Sequence, residues 1–145
     1  MEPILDPRGI QERPLLTLAP RPTIERLRKG PILFFDNTKL AFRNNSEIFV
    51  RIKDHFRKNG MTNFIDYRET VRGKTNQELN DFATLLARSE PVAAVTALGD
   101  VGVSPGTTIL TIALEKLGIP SVYITAPPGT ALAKAVAFYL SLIHI

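Results

Sequence analysis

Two short segments of the sequence carry residue types that can bind or transform a small ligand. The first, DNTK, runs from Asp36 to Lys39, and the second, GDVGVSPGTT, runs from Gly99 to Thr108. Each follows a short apolar run and precedes a helical pattern. Glycine lets the backbone approach a ligand closely, and the first N–H groups of a helix have no carbonyl partner within the helix. The second segment is therefore a candidate ligand-binding loop.

The chemistry of this loop favours a small anion, a carboxylate or a phosphate. Ser104 is a candidate N-cap, Pro105 suits the first turn of a helix, and Thr107 and Thr108 add hydroxyl donors. A helix start stabilises a neighbouring anion by about 0.3–1 kcal/mol. Lys39 of the first segment adds a formal positive charge. The predicted ligand-binding residues are Asn37, Gly99, Gly102, Ser104, Gly106, Thr107 and Thr108.

Asp36, Lys39 and Asp100 are the candidate catalytic residues. Two carboxylates at neighbouring strand ends can act as an acid/base pair, or each can cap a local turn. The glycines can likewise serve only to turn a strand into a helix. The loop has neither the lysine of a Walker motif nor the spacing of a dinucleotide fingerprint. Since no residues have metal-ligand spacing either, the sequence predicts no cofactor and no metal site.

The elements that must position these residues alternate between strand and helix. Apolar runs predict strands at 31–36, 63–67, 92–98 and 120–125. Such βαβ units predict a three-layer α/β fold: a flavodoxin-like, open parallel sheet of order 2-1-3-4 with helices on both faces. In that order strands one and three end beside each other, where such sheets bind ligands. We therefore expect the two segments to share one crevice.

Helical stripes and caps give a first prediction of the core. The first helix after strand one is expected to bury Ile48, Phe49, Ile52 and Phe56. The second is expected to bury Leu79, Phe82, Leu85 and Leu86. The third is expected to bury Ile109, Ala113, Leu114 and Leu117. Asn45 or Ser46 is expected to cap the first of these helices, and Thr75 with Glu78 the second. Gly60 and Gly118 are expected to end the first and third helices. Tyr67 and Tyr123 are also assigned to the core.

Length and composition favour one domain preceded by an arm. The 145 residues suffice for a single core, with a proline-rich arm at 1–30 and the α/β domain at 31–145. No apolar run reaches the roughly 18 residues of a membrane span, and the first residues lack the pattern of a secretory signal. We therefore expect a cytoplasmic protein without membrane contacts.

The net charge of +4 is unevenly distributed. Between Arg21 and Lys74 the sequence has 13 Lys or Arg against 6 Asp or Glu. These basic residues are not interleaved with the aromatic residues that stack on bases. A solvated surface that attracts a small anion is favoured over nucleic-acid binding.

Taken together, the two segments and their surroundings resemble the UGSC family. The resembling stretches are ILDPRG at 4–9, LAPRP at 18–22, DNTK at 36–39 and GDVGVSPGTTILTIALEKLGIPSVYI at 99–124. The family is thought to contain thiol- or selenol-based oxidoreductases and is distantly similar to selenoprotein B of glycine, sarcosine and betaine reductases. The resemblance implies a redox pair in the loop after strand three.

This chain departs from the family at that redox pair. Val101 stands where the family has Cys or selenocysteine, Ser104 stands at its second Cys, and the whole sequence has no cysteine. An isopropyl group cannot ionise, and a serine hydroxyl does not replace a thiolate. We expect no dithiol chemistry. The alternatives are a non-thiol lyase, isomerase or hydrolase, and a noncatalytic ligand-binding or regulatory subunit of a redox-active relative.

The carboxyl end is a second departure. The family continues into a further strand and a His-Pro segment, whereas this sequence stops at SLIHI, which resembles the start of a translated sequencing adapter. The sequence is therefore expected to be a truncated metagenomic fragment. A sheet edge left exposed in this way favours a homo-oligomer.

Overall fold

The computed structural model describes residues 17–42, 47–100 and 104–139. The strands are β1 (Ile32–Asp36), β2 (Phe64–Arg68), β3 (Ala93–Gly99) and β4 (Ser121–Thr125). The helices are α1 (Ile24–Lys29), α2 (Lys39–Phe42), α3 (Glu47–Lys58), α4 (Asn76–Ala87), α5 (Ser104–Lys116) and α6 (Pro127–Tyr139). All four predicted strands are present, with bounds that differ from the predicted ones by one residue.

The four strands form one parallel sheet in the order β2-β1-β3-β4. This confirms the predicted flavodoxin-like order. Asp36, the last residue of β1, pairs with Arg68 of β2 and with Ala97 of β3. The carboxyl ends of these three strands therefore lie side by side. Among the described elements β4 is an edge strand, where the side chain of Val122 is 62% exposed. The expected self-association through this edge stays a prediction.

Two hydrophobic cores lie on opposite faces of the sheet. Side chains of β1 alternate between them, since Leu33 and Phe35 join one core and Ile32 and Phe34 join the other. The first core is completed mainly by α4 and α5, and the second by α3 with residues from α1 and α2. Because β1 is covered on both faces, its apolar run is continuous. The three-layer prediction is confirmed.

The predicted helix signals at Thr75, Gly60 and Gly118 all correspond to helix ends. The Thr75 hydroxyl accepts a bond from the Glu78 backbone N–H at 3.2 Å, and the Glu78 carboxylate accepts from the Thr75 N–H at 2.6 Å. The Thr75 N–H and then its hydroxyl lower the pKa of Glu78. Gly60 and Gly118 follow α3 and α5 with φ of 85° and 82°. The caps expected at Asn45 or Ser46 lie outside the described residues.

Two of the residues predicted to be buried are instead exposed. Leu85 is 46% exposed and Leu117 is 48% exposed, so both predictions are wrong. Leu85 lies about 100° around α4 from Leu86, which takes the buried position. Leu117 follows the last helical residue, and the turn at Gly118 directs the chain away from the stripe that Leu114 occupies.

Alanine substitutions at Leu85 and Leu86 test this correction directly. Leu86 is 3% exposed, so we expect Leu86→Ala to lower the free energy of unfolding by about 2–4 kcal/mol, because it leaves a cavity in the core. Leu85→Ala is the matched control and should cost less than about 1 kcal/mol. Urea unfolding measures both. Equal losses for the two variants would contradict the observed orientation of α4.

The described part of the arm contains α1 and is anchored to α5. The Thr23 hydroxyl accepts from the Arg26 N–H at 3.2 Å and caps α1. Buried Glu115 of α5 accepts bonds from the Ala19 N–H at 2.8 Å and from the Arg21 guanidinium at 2.6 Å. Residues 17–21 are thereby fastened over α5, whereas residues 1–16 of the predicted arm lie outside the described part. No helix in the described ranges has the length and apolar character needed to cross a membrane.

Candidate functional site

The ends of β1 and β3 are joined by the side chain of Asn37. Its Nδ2 donates to the Leu98 carbonyl at 2.8 Å and to the Thr107 hydroxyl at 2.7 Å. Its Oδ1 accepts from the backbone N–H of Leu98 at 3.0 Å and of Lys39 at 3.2 Å. The first segment, the end of β3 and the first turn of α5 therefore meet at one side chain. That the two segments share one ligand-binding crevice stays a prediction.

Asn37 itself is fully used by the protein. It is 0% exposed, and its two N–H donors and its carbonyl oxygen all have partners. An amide in this arrangement has little capacity left for a ligand. We assign Asn37 a positioning role: it sets the relative placement of Lys39 and Thr107.

Asp36 caps a tight turn beside this junction. Its Oδ1 accepts from the Thr38 N–H at 2.7 Å, and its Oδ2 lies 3.5 Å from the Arg68 guanidinium Nε. Thr38 has a φ of 77°, which is unusual for a β-branched residue and which the turn imposes. Of the two roles considered for Asp36, turn capping is supported by an observed hydrogen bond, the one from the Thr38 N–H. Its predicted catalytic role stays a prediction.

Gly99 ends β3 beside the start of α6, and Asp100 follows it. A Cβ on Gly99 would lie 2.6 Å from the Tyr123 hydroxyl and from a methyl carbon of Thr125. A Cβ on Gly129 of α6 would lie 2.5 Å from the Gly99 carbonyl oxygen. Asp100 is a buried carboxylate, 2% exposed. The backbone at the end of β3 is thus in close contact with β4 and α6, which explains why glycine occupies position 99.

The start of α5 provides buried hydroxyl groups. Thr107 and Thr108 are 0% and 4% exposed. The Thr111 hydroxyl donates to the Thr107 carbonyl at 2.7 Å and shares a hydrogen bond of 2.8 Å with Thr96 of β3. A Cβ on Gly106 would meet Val71 at 3.1 Å, so the loop after β2 packs against this turn. Val101, Gly102 and Val103 and the side chain of Ser104 lie outside the described part of the chain.

A groove of about 340 Å³ opens next to Thr108, between α5, β4 and α6. It is lined by five hydroxyl residues that the sequence analysis did not assign to a site: Thr111, Ser121, Tyr123, Thr125 and Thr130. Tyr123 is half-buried and lines this groove, whereas Tyr67 packs against the first core as predicted. The alternation Ser121, Tyr123, Thr125 on one face of β4 was the available signal.

Charged side chains on the surface of α3 and β2 form ion pairs. Surface carboxylates of α3 and β2 bind basic side chains in the pairs Arg51–Glu47, Arg57–Asp54 and Lys53–Asp66. Arg21 and Lys134 lie at the rim of the groove, and Lys39 is half-buried at the start of α2. Within the described ranges no three His, Cys, Asp or Glu side chains are grouped as metal ligands would be.

Comparison with known proteins gives one match. A family model described as the UGSC family matches residues 3–140, which include both site segments. No curated protein and no solved structure matches the chain. The more distant similarity to selenoprotein B stays a prediction.

Proposed function

The chain belongs to the UGSC family, and we propose that it binds a small anionic metabolite where β1 and β3 end. The observation that carries this proposal is the set of hydrogen bonds made by Asn37. These bonds hold the backbone of half-buried Lys39 next to Thr107 in the first turn of α5. A helix start and a lysine in one crevice favour a negative group.

A non-thiol enzyme is the second candidate function. Asp100 supports it, because this carboxylate is buried, 2% exposed, at the carboxyl ends of the strands. A general acid or base would be needed there. A noncatalytic ligand-binding or regulatory subunit is the alternative. Neither candidate uses dithiol chemistry, because this sequence has no cysteine.

Titration calorimetry with acetate and with inorganic phosphate tests the anion site. We expect Lys39→Met to weaken binding about tenfold at low salt, because a nearby positive charge is lost. Lys58→Met is the matched control, since Lys58 is an exposed lysine at the end of α3. It should leave the dissociation constant unchanged. Equal affinities of the two variants, or no binding of either anion to the wild type, would overturn the proposal.

Asp100→Asn separates the enzyme from the binding domain. An enzyme should keep ligand binding and lose turnover in this variant, because the amide preserves the shape but not the acid/base function. A noncatalytic domain should show no turnover of any anion that binds the wild type. Circular dichroism of the variant verifies that its fold is retained.

A further inference from the structure

We infer that the ligand of this site is an aliphatic monocarboxylate whose chain lies in the groove between α5, β4 and α6. The inference rests on the proposed anion site and adds to it the class of ligand. The connection between the anion site and the groove is Thr108, which directly follows Thr107 in α5 and lines the groove. A carboxylate held at the strand ends can therefore extend its chain along β4.

The groove is long enough for such a chain. On the α5 side it follows one stripe of the helix from Thr108 to Glu115, which corresponds to about 10 Å at a rise of about 1.5 Å per residue. On the sheet side it follows alternate residues of β4 from Thr125 back to Ser121, about 13 Å. Its volume of about 340 Å³ is that of a small-ligand pocket.

The two ends of the groove differ in chemistry. At the strand ends it has the hydroxyls of Thr108, Thr125 and Thr130. The last two share a hydrogen bond of 2.5 Å, which leaves the pair one proton for the Ala126 carbonyl or for a ligand. Further along, Ile112 and Ala133 supply an apolar wall. Hydroxyl groups suit the carboxylate and the apolar wall suits a hydrocarbon chain, so the head of the ligand is placed at the strand ends.

The far end disfavours a second negative group. Glu115 lies there, and its oxygens accept hydrogen bonds from the backbone N–H of Ala19 and Ser121 and from Arg21, at 2.6 to 2.8 Å. These donors are therefore engaged within the protein. A second carboxylate would therefore meet an Arg21 guanidinium whose charge Glu115 already offsets. At the rim, exposed Lys134 supplies one positive charge to balance a single carboxylate.

Calorimetry with acetate, butanoate, hexanoate, octanoate and hexanedioate tests this assignment. We expect affinity to rise about two- to fourfold for each added methylene, as burial of hydrocarbon predicts. Hexanedioate should bind about tenfold more weakly than hexanoate. Acetate binding without any gain from chain length would overturn the assignment and leave the anion site standing. Failure of acetate and of the longer acids alike would overturn the assignment, and the anion site falls with it only if inorganic phosphate also fails to bind.

Variants locate the chain within the groove. Ala133→Leu should fill the groove and remove the gain with chain length while acetate still binds, and Ala135→Leu, at an exposed position of α6, is its control. Leu18→Ala in the arm tests the groove without altering α6, and should weaken octanoate about two- to fourfold and leave acetate unchanged. If folded Ala133→Leu retains the full gain, or if Leu18→Ala leaves octanoate unchanged, the chain lies elsewhere and the inference is wrong.

Discussion

Replacing Asn37 with alanine is expected to lower the free energy of unfolding by about 3–5 kcal/mol. The side chain is 0% exposed and makes four hydrogen bonds to Leu98, Thr107 and Lys39. Its removal takes the side-chain partner away from the backbone N–H and the carbonyl of buried Leu98, and a buried group left unsatisfied costs about 1–3 kcal/mol. Urea unfolding monitored by circular dichroism measures the loss.

Two further variants make this result specific. Asn80→Ala removes an exposed asparagine side chain of α4 and should change stability by no more than about 0.5 kcal/mol. Asn37→Asp keeps the acceptor for the N–H groups of Leu98 and Lys39 but loses both donors, and it places a buried carboxylate oxygen against the Leu98 carbonyl, so its loss should be at least as large as that of Asn37→Ala. A cost below about 1 kcal/mol for Asn37→Ala would show that the junction of β1, β3 and α5 does not depend on this amide.

Replacing Gly129 with alanine is expected to destabilise the protein by about 3 kcal/mol. The added Cβ would lie 2.5 Å from the Gly99 carbonyl oxygen and 2.9 Å from the Asp100 backbone nitrogen. Both are backbone atoms, so the clash can be relieved only by moving α6 away from the end of β3. We therefore expect anion binding to weaken together with stability, and calorimetry and urea unfolding to detect the two effects.

Gly106→Ala is the matched control for this clash. Gly106 and Gly129 both lie in the first turn of a helix, so alanine gains a similar helix propensity at each position, about 1 kcal/mol. At Gly106 the new Cβ would lie 3.1 Å from a methyl carbon and from the backbone oxygen of Val71, a longer contact that shifts of a few tenths of an ångström relieve. Similar stabilities for the two variants would contradict the close packing of α6 on Gly99.

Local sequence patterns were sufficient to predict most of the helices and strands, but they did not predict how far the buried face of each helix extends. The continuous apolar run of β1 and the capping box at Thr75 act within a few residues, so the sequence displays them directly. Leu85 and Leu117 fit their helical stripes and are nevertheless exposed. Whether such a residue is covered depends on how far the neighbouring helix or strand extends over it. The spacing of apolar residues in the sequence carries no information about that.

The sequence by itself determined the order of strands and helices, the parallel sheet and the convergence of the segments around Asp36 and Gly99, because periodicity, caps and βαβ handedness are local or general rules. Only the tertiary structure decided that Asn37 bonds Thr107, 70 positions away, and that Glu115 holds Ala19, 96 positions away. It also decided that Tyr123 lines a groove. Such contacts join residues that are far apart in the sequence and meet only when the layers pack, and the spacing of residues along the chain does not encode which of them meet.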